Sequence, residues 1–380
     1  MKFTCLKENL YPGLALIAPM ARKASHLPIL GNILIKAETG SLMCSVTNLE
    51  LAVKVTIRAK VEEEGMGTFP AKVLYEVVGS LPKDKIECTS TSDVLSLSAQ
   101  GFQGTVKGVS SDEFPVIPQV QGTHTCTFQR QEFIGVLEQT MFAASHQDPR
   151  QELNGVSFWF SVPSGSASGG KTTLRIAATD SYRLAEATLT LPTPMSEPLP
   201  HIIIPARSLS EVVRILSSSQ EEHTTLDMVW EESQVLFSCG NVAITSRLIA
   251  GKYPEYQAII PTSFRTTARM KRTELLALIK QVSLFSSSGL HEITLALDPQ
   301  TGVLTGTGSC DQVGEGSANI TCEIIGEAQK AVFNHTYLVE GLQALSGDMV
   351  ELGMIDASSP TIMRIPGSEG YLYLAMPIKQ

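Results

Sequence analysis

The chain has 380 residues, 43 % of them hydrophobic and 18 % charged, with a formal net charge of −9. It is long enough for several domains, and no run of 18 apolar residues occurs, which excludes a membrane-crossing helix. Its seven cysteines are scattered from Cys5 to Cys322 without a C-x-x-C pair, which argues against a disulfide framework or a zinc site and for reduced core thiols.

The first stretch carries Lys2 and Lys7 ahead of an apolar run, but Glu8, Pro12, Gly13 and Pro19 interrupt it. Leu6, Leu10, Leu14 and Ile17 read as one face of a helix over 6–20 rather than as a leader, so a cytoplasmic location is expected. Thr47-Asn48-Leu49-Glu50-Leu51-Ala52 then gives a polar turn: Thr, a turn-forming Asn, a short gap and Leu-Ala. Phe69-Pro70-Ala71-Lys72 opens a second helix, with Val73, Val77, Val78 and Leu81 as its apolar face. Proline suits a helix start because its missing N–H costs nothing there.

These signals return about 130 residues later. A helix is predicted over 130–144, followed by the alternating strand Val156-Ser157-Phe158-Trp159-Phe160-Ser161-Val162, its period blurred by Trp159. Thr179-Asp180-Ser181-Tyr182-Arg183-Leu184-Ala185 echoes the polar turn. Ile204-Pro205-Ala206-Arg207 opens a helix with Leu209, Val212, Val213 and Leu216 on one face. A third copy follows. A helix over 271–285 carries the stripe Leu275, Leu278, Ile279 and Val282, and Phe333-Asn334-His335-Thr336 opens another with Leu338, Leu342 and Leu345, capped by Asn334. Pro-rich exits close the first two copies at Glu113-Phe114-Pro115-Val116-Ile117-Pro118 and at Lys252-Tyr253-Pro254-Glu255-Tyr256 with Ile260-Pro261. The order helix, strands, helix, strands, three times over, predicts an α+β protein with antiparallel sheets. Its domains are placed at 1–122, 123–263 and 264–380.

One motif points elsewhere. Gly165, Gly170, Lys171 and Thr172 satisfy the P-loop pattern of a nucleotide hydrolase. That pattern works only if a helix follows and offers its N-terminus to the phosphates. Thr173 to Thr179 reads as a strand, so the loop is better explained as a hairpin insertion. The histidines show no metal-ligand spacing, and Ser145, His146 and Asp148 are neighbours in sequence rather than a triad. No cofactor, no metal and no catalysis are expected.

Several motifs in order carry a resemblance. They are Leu27-Pro28-Ile29-Leu30-Gly31-Asn32, Phe69-Pro70-Ala71, His146-Gln147-Asp148 with Leu153-Asn154-Gly155, and Ala178-Thr179-Asp180 with Arg183-Leu184-Ala185. They continue with Gly251-Lys252-Tyr253-Pro254-Glu255-Tyr256 and the ending Met376-Pro377. Over nearly its whole length the chain resembles the bacterial DNA polymerase sliding clamps, the β subunits of the DNA polymerase III holoenzyme. The resemblance implies three tandem copies of the DNA-clamp fold, each with two helices and antiparallel sheets, forming half of a closed ring. It implies a head-to-tail homodimer around duplex DNA that tethers the replicative polymerase and catalyses nothing. The implied partners are a clamp loader, translesion polymerases, mismatch repair proteins and ligase.

A net charge of −9 looks wrong for a DNA partner, but the six predicted helical windows together are net positive and the rest of the chain holds the acid. In the family those helices line the hole. The resemblance places DNA contacts at Arg22, Lys23, Lys72, Gln147, Arg150 and Arg207. It places a peptide pocket at Leu153, Thr179, Ser181, Tyr182, Arg183, Leu184, Pro254 and Ile259, with Ser359, Pro360, Leu374, Met376, Pro377, Ile378 and Lys379. In this pocket Leu184, Pro254, Ile259 and Met376 would form an apolar slot, and Arg183 would fix the peptide's polar end. Val106 and Lys107 are set against Leu284 and Phe285 as dimer contacts. Departures from familiar members are Gln151-Glu152 in place of an aromatic pair, Ser181-Tyr182 for Gly-His, Ala258 for Arg, and an Ile378-Lys379-Gln380 end for Met-Arg-Leu.

Overall fold

The computed structural model describes residues 1–21, 27–161, 172–191, 199–218, 223–286, 289 and 291–379. Among them are the helices α1 (Lys7–Ala21), α2 (Ala71–Ser80), α3 (Arg130–Thr140), α4 (Ala206–Ser218), α5 (Arg272–Ser283) and α6 (His335–Ala344). All six follow directly on strands, and three of these strands open the repeats: Lys2–Leu6 before α1, His124–Gln129 before α3 and Thr266–Lys271 before α5. Each repeat therefore opens on a strand, where the sequence pattern opened it on a helix. Phe3 with Cys5, Cys126 with Phe128 and Ala268 with Met270 give each of these strands only two buried apolar positions. So short an alternation is easily hidden beside a helical stripe.

The chain divides into two compact units, Met1–Ile134 with Arg207–Leu248 and Gly135–Ala206 with Ile249–Gln380. The middle repeat is split between them. In the first unit, Val242–Arg247 pairs antiparallel with Leu51–Arg58, Ser246 opposite Leu51 and Val242 opposite Val55, inside an eight-stranded sheet. In the second, Arg183–Thr190 pairs antiparallel with Tyr371–Ala375, Leu184 opposite Leu374, inside a nine-stranded sheet. Each unit thus hydrogen-bonds a strand of one repeat to a strand of the next. A five-stranded sheet in the first unit has Phe102–Lys107 at its edge, and a four-stranded sheet in the second has Gly314–Thr321 at its edge.

Helix packing follows the apolar period. α1 buries Leu10, Leu14 and Ile17 against Ser41–Thr47 and Leu51–Arg58, and runs on through Pro12 and Pro19. Gly13 permits the close approach, since a Cβ there would stand 2.5 Å from Ile57 Cδ1. In α4, Leu209, Val212, Val213 and Leu216 are buried, as are Leu275, Leu278, Ile279 and Val282 in α5. Asn334 caps α6, its side chain accepting from Thr336 N at 2.9 Å. α2 differs from expectation. Ala71, Leu74 and Val78 form its buried face with Leu81 just beyond, while Val73 is exposed and Val77 only half-buried. In the strand Gly155–Ser161, Val156, Phe158 and Phe160 are buried on one face, while on the other Ser157 is buried too and Trp159 is exposed. All seven cysteines are free. Burial pushes the thiols of Cys44, Cys88 and Cys126 up to about 12, which keeps them protonated and inert.

Candidate functional site

The turn after strand Thr173–Thr179 is held by its own side chains. Thr179 Oγ1 donates to Arg183 O at 2.6 Å and accepts from Ser181 N at 3.1 Å. Asp180 Oδ1 accepts from Tyr182 N at 2.9 Å and Arg183 N at 3.0 Å. Thr and Asp are the residue types that replace backbone bonds in this way. Together they hold Ser181 at φ 77°, in the left-handed region that costs a non-glycine residue about 1–2 kcal/mol. Arg150 braces the same turn from outside, donating to Ser181 Oγ and to both oxygens of Asp148, each at 3.0 Å. The Arg150 bonds hold the Asp148 carboxyl below its ordinary range.

Arg183 has a different task from the one expected. Its guanidinium donates to Asp180 Oδ2 at 3.0 Å, to Phe142 O at 2.9 Å and to Glu340. It also lies over the rings of Tyr337 and Phe142, 4.6 and 5.5 Å from their centroids. At 9 % exposure this group staples the turn to α6 and is not presented to a ligand.

The floor is apolar. Ala177, Leu184 and Leu374 form a fully buried cluster, with Tyr256, Ile260, Leu372 and Met376 packed against it. Alternation along Tyr371–Ala375 and Arg183–Thr190 places Leu184, Leu372 and Leu374 on one sheet face, and Met376 continues it. The segment after the last strand is tied down: Met376 N donates to Tyr182 O and Ile378 N to Val332 O, both at 2.8 Å. Pro377 is buried and Lys379 exposed.

On the other flank Thr179 N donates to Tyr253 Oη at 3.0 Å, and Tyr256 Oη donates to Glu186 Oε2 at 2.6 Å. Burial raises the Glu186 pKa, against the opposing pull of Tyr256 and Arg175. Ser359 is held by Asp356, whose carboxyl accepts from Ser358 N and Oγ and from Ser359 N and Oγ. These bonds depress Asp356 to about 2. Pro360 is half-buried, and Leu153 is buried with its carbonyl accepting from Ser145 N. Tyr182 at 63 %, Ile259 at 48 % and Pro254 stand exposed around the floor. The expected slot thus keeps Leu184 and Met376 but is completed by Tyr256, Ile260, Leu372 and Ala177. Of these, Tyr256 and Ile260 were legible only as part of a Pro-rich exit.

Other expected residues fall as follows. Lys72 and Arg207 are exposed in the first turns of α2 and α4, and Gln147 is exposed. Arg22 and Lys23 lie outside the described residues. Val106 is buried in its own sheet, opposite Leu95, and so is not itself a contact surface; Lys107 beside it is exposed. Leu284 is 73 % exposed, while Phe285 packs where a Cβ on Gly316 would sit, 2.2 Å from its ring. The loop of the P-loop pattern, 165–171, lies outside the described residues, but Thr172 is buried and leads into strand Thr173–Thr179. No helix follows, and the nucleotide-hydrolase reading fails on the feature it needs. Among the described residues no group of three or more His, Cys, Asp or Glu side chains could hold a metal ion.

Three family descriptions match the chain in tandem: DNA polymerase III beta subunit, N-terminal domain, over residues 1–118, central domain over 127–255, and C-terminal domain over 257–379. The beta sliding clamp of Synechococcus elongatus is 30 % identical over 384 residues, covering 100 % of this chain and 99 % of that one. The chain belongs to the bacterial beta sliding clamps. Among solved structures, the DNA polymerase sliding clamp of Bacillus subtilis aligns with a TM-score of 0.92 at 26 % identity, covering 100 % of this chain and 99 % of its own. The beta subunit of Pseudomonas aeruginosa aligns at 0.92 and 25 % identity, with 100 % of both chains covered. The clamp fold is therefore present three times, and the protein is a non-catalytic processivity factor of DNA replication.

Proposed function

We propose that this clamp closes head to tail with a second copy around duplex DNA, without regard to sequence, and tethers the replicative polymerase by topology. The observation that carries the reading is the end-to-end match to three clamp domains. Its domains are taken as 1–122, 123–263 and 264–380. Lys72, Gln147 and Arg207, exposed on the first and middle repeats, contact the DNA; Arg22 and Lys23 join them on the family resemblance alone. Arg150, tied to Asp148 and Ser181, serves the docking turn instead. The open edges Phe102–Lys107 and Gly314–Thr321 suit a contact between copies, with Leu284 as its apolar anchor. The clamp works in the cytoplasm and needs no cofactor.

Partners dock a short peptide over Leu372 and Met376, which cover the buried Leu184 and Leu374, under Tyr182 and Ile259. The clamp loader, the polymerase catalytic subunit, translesion polymerases, mismatch repair proteins and ligase share it. The deciding experiment loads the protein onto nicked circular DNA and then cuts the circle. A clamp stays on the circle and slides off the linear product; retention on both forms defeats the ring. Sedimentation equilibrium at micromolar protein gives an independent check, since a clean 41.0 kDa monomer is incompatible with a closed dimer there. Removing 376–380 is expected to weaken a fluorescent polymerase-tail peptide by at least about tenfold, roughly 1.4 kcal/mol, with the dimer intact.

A further inference from the structure

The turn that frames the docking floor is built twice. In the first unit Thr47 Oγ1 donates to Leu51 O at 3.0 Å and accepts from Leu49 N at 3.1 Å. Asn48 Oδ1 accepts from Glu50 N at 3.0 Å and Leu51 N at 2.7 Å. Leu49 stands at φ 77°, the value found at Ser181. Arg247 N donates to Glu50 O at 2.9 Å, as Met376 N does to Tyr182 O. These bonds match Leu51 with Arg183 and Ala52 with Leu184, so the Leu-Ala echo of the sequence is one residue out of register.

The same frame is lined differently. Thr245 lies opposite Ala52 where Leu374 lies opposite Leu184. Arg247 takes the place of Met376, and Gln234, opposite Arg247, takes that of Pro360. The smaller floor leaves a cavity of about 90 Å³ whose walls include Leu49, Pro115, Val116 and Ile117. Its polar groups are unspent. The exposed side chains of Glu50 and Arg247 have no ion-pair or hydrogen-bond partner among the described residues. Gln234 Oε1 is buried without a donor.

We propose that this cavity is a second docking site, which takes one aliphatic side chain of an extended acidic segment of a partner protein. Space for one branched side chain sets the aliphatic residue. The exposed Arg247 fork requires a carboxylate. Glu50 at the rim repels a misplaced acid and leaves Arg247 as the only match. The proposal stands whether or not peptides bind over Leu184 and Leu374.

The test uses the full chain with labelled Ile, Leu and Val methyl groups, titrated by NMR with acetyl-Leu-Asp-amide, acetyl-Leu-Asn-amide and acetyl-Leu-Lys-amide. The Asp probe is expected to give saturable shifts at Leu49, Val116 and Ile117, with the Asn and Lys probes weaker by at least about tenfold. Arg247→Gln should reduce the Asp response to that of the Asn probe. Thr245→Leu, which fills the floor as Leu374 does at the other site, should abolish it while the remaining methyl spectrum stays native. The proposal falls if these methyls do not move at about 10 mM probe, enough to populate a Kd near 1 mM. It falls equally if the Lys or Asn probe does as well, or if Arg247→Gln changes nothing. Methyls of Leu184, Leu372 and Leu374 report the other site separately.

Discussion

Replacing Arg183 with Ala is expected to cost stability first and docking second. The guanidinium leaves behind Asp180 Oδ2, Phe142 O and a Glu340 oxygen. Arg183 and Asp180 side chains are 10 % and 14 % exposed, so losing this charge-assisted bond costs about 1.5–3 kcal/mol. The orphaned Phe142 carbonyl adds about 1 kcal/mol. Glu340 is 39 % exposed, and water screens that pair to below about 1 kcal/mol. The Tyr337 and Phe142 rings contribute about 0.5–1 kcal/mol each. These terms share one side chain and are not additive, which places the loss at about 3–5 kcal/mol, or about 4–6 °C in Tm for a chain of 380 residues melting as one unit. Arg183→Lys keeps the charge but cannot reach three acceptors, and should recover only part. Calorimetry of the three proteins gives Tm, and peptide titration well below the lowest Tm gives docking. If Arg183→Ala melts like the wild type yet binds peptide about tenfold more weakly, the guanidinium touches the ligand and its bracing role is refuted.

Three further outcomes follow from single contacts. Gly13→Ala places a Cβ 2.5 Å from Ile57 Cδ1, an overpacking cost of about 1–3 kcal/mol partly offset by helix propensity; a denaturation midpoint at or above the wild-type value would contradict the close packing. Tyr256→Phe removes the donor to Glu186, raising further a carboxyl already raised by burial. Such a group contributes stability below its unfolded pKa that is lost as pH rises through the folded one, so the variant should match wild type near about pH 4 and fall behind toward neutrality; a constant gap in melting scans would sink this. His201 accepts or donates at Ser157 Oγ at 2.8 Å, and burial lowers its pKa below 6.5. Its neutral form is fully favoured above that value, and stability is lost as pH falls through it toward the folded pKa; His201→Phe should flatten that part of the pH–stability curve.

The parts of this clamp that a reader of the sequence can see are those whose partners lie close along the chain. The stripes Leu209, Val212, Val213, Leu216 and Leu275, Leu278, Ile279, Val282 are buried as their period requires. Four bonds of the turn at Thr179 and Asp180 close within residues 179–183. α2 misled because Leu74 and Val73 are adjacent apolar residues, and only packing decides which of the two faces inward. Arg183 misled because its partners Phe142 and Glu340 lie 41 and 157 residues away. A buried arginine and an exposed ligand-binding one look the same in sequence.

The docking floor was hidden for a deeper reason. The repeat is a property of the sequence, but each compact unit is assembled across repeats, with Leu184 set opposite Leu374 and Ala52 opposite Thr245. A motif within one repeat shows the turn and one wall. The facing wall arrives on the neighbouring repeat's strand, where nothing local marks it. The two junctions therefore keep one backbone frame, fixed by Thr47 and Asn48 or Thr179 and Asp180. Their linings are free to diverge: apolar at Leu374 and Met376, polar at Thr245 and Arg247. If both proposed sites hold, duplicated frames with independent linings let one fold offer partners two chemically distinct places to dock.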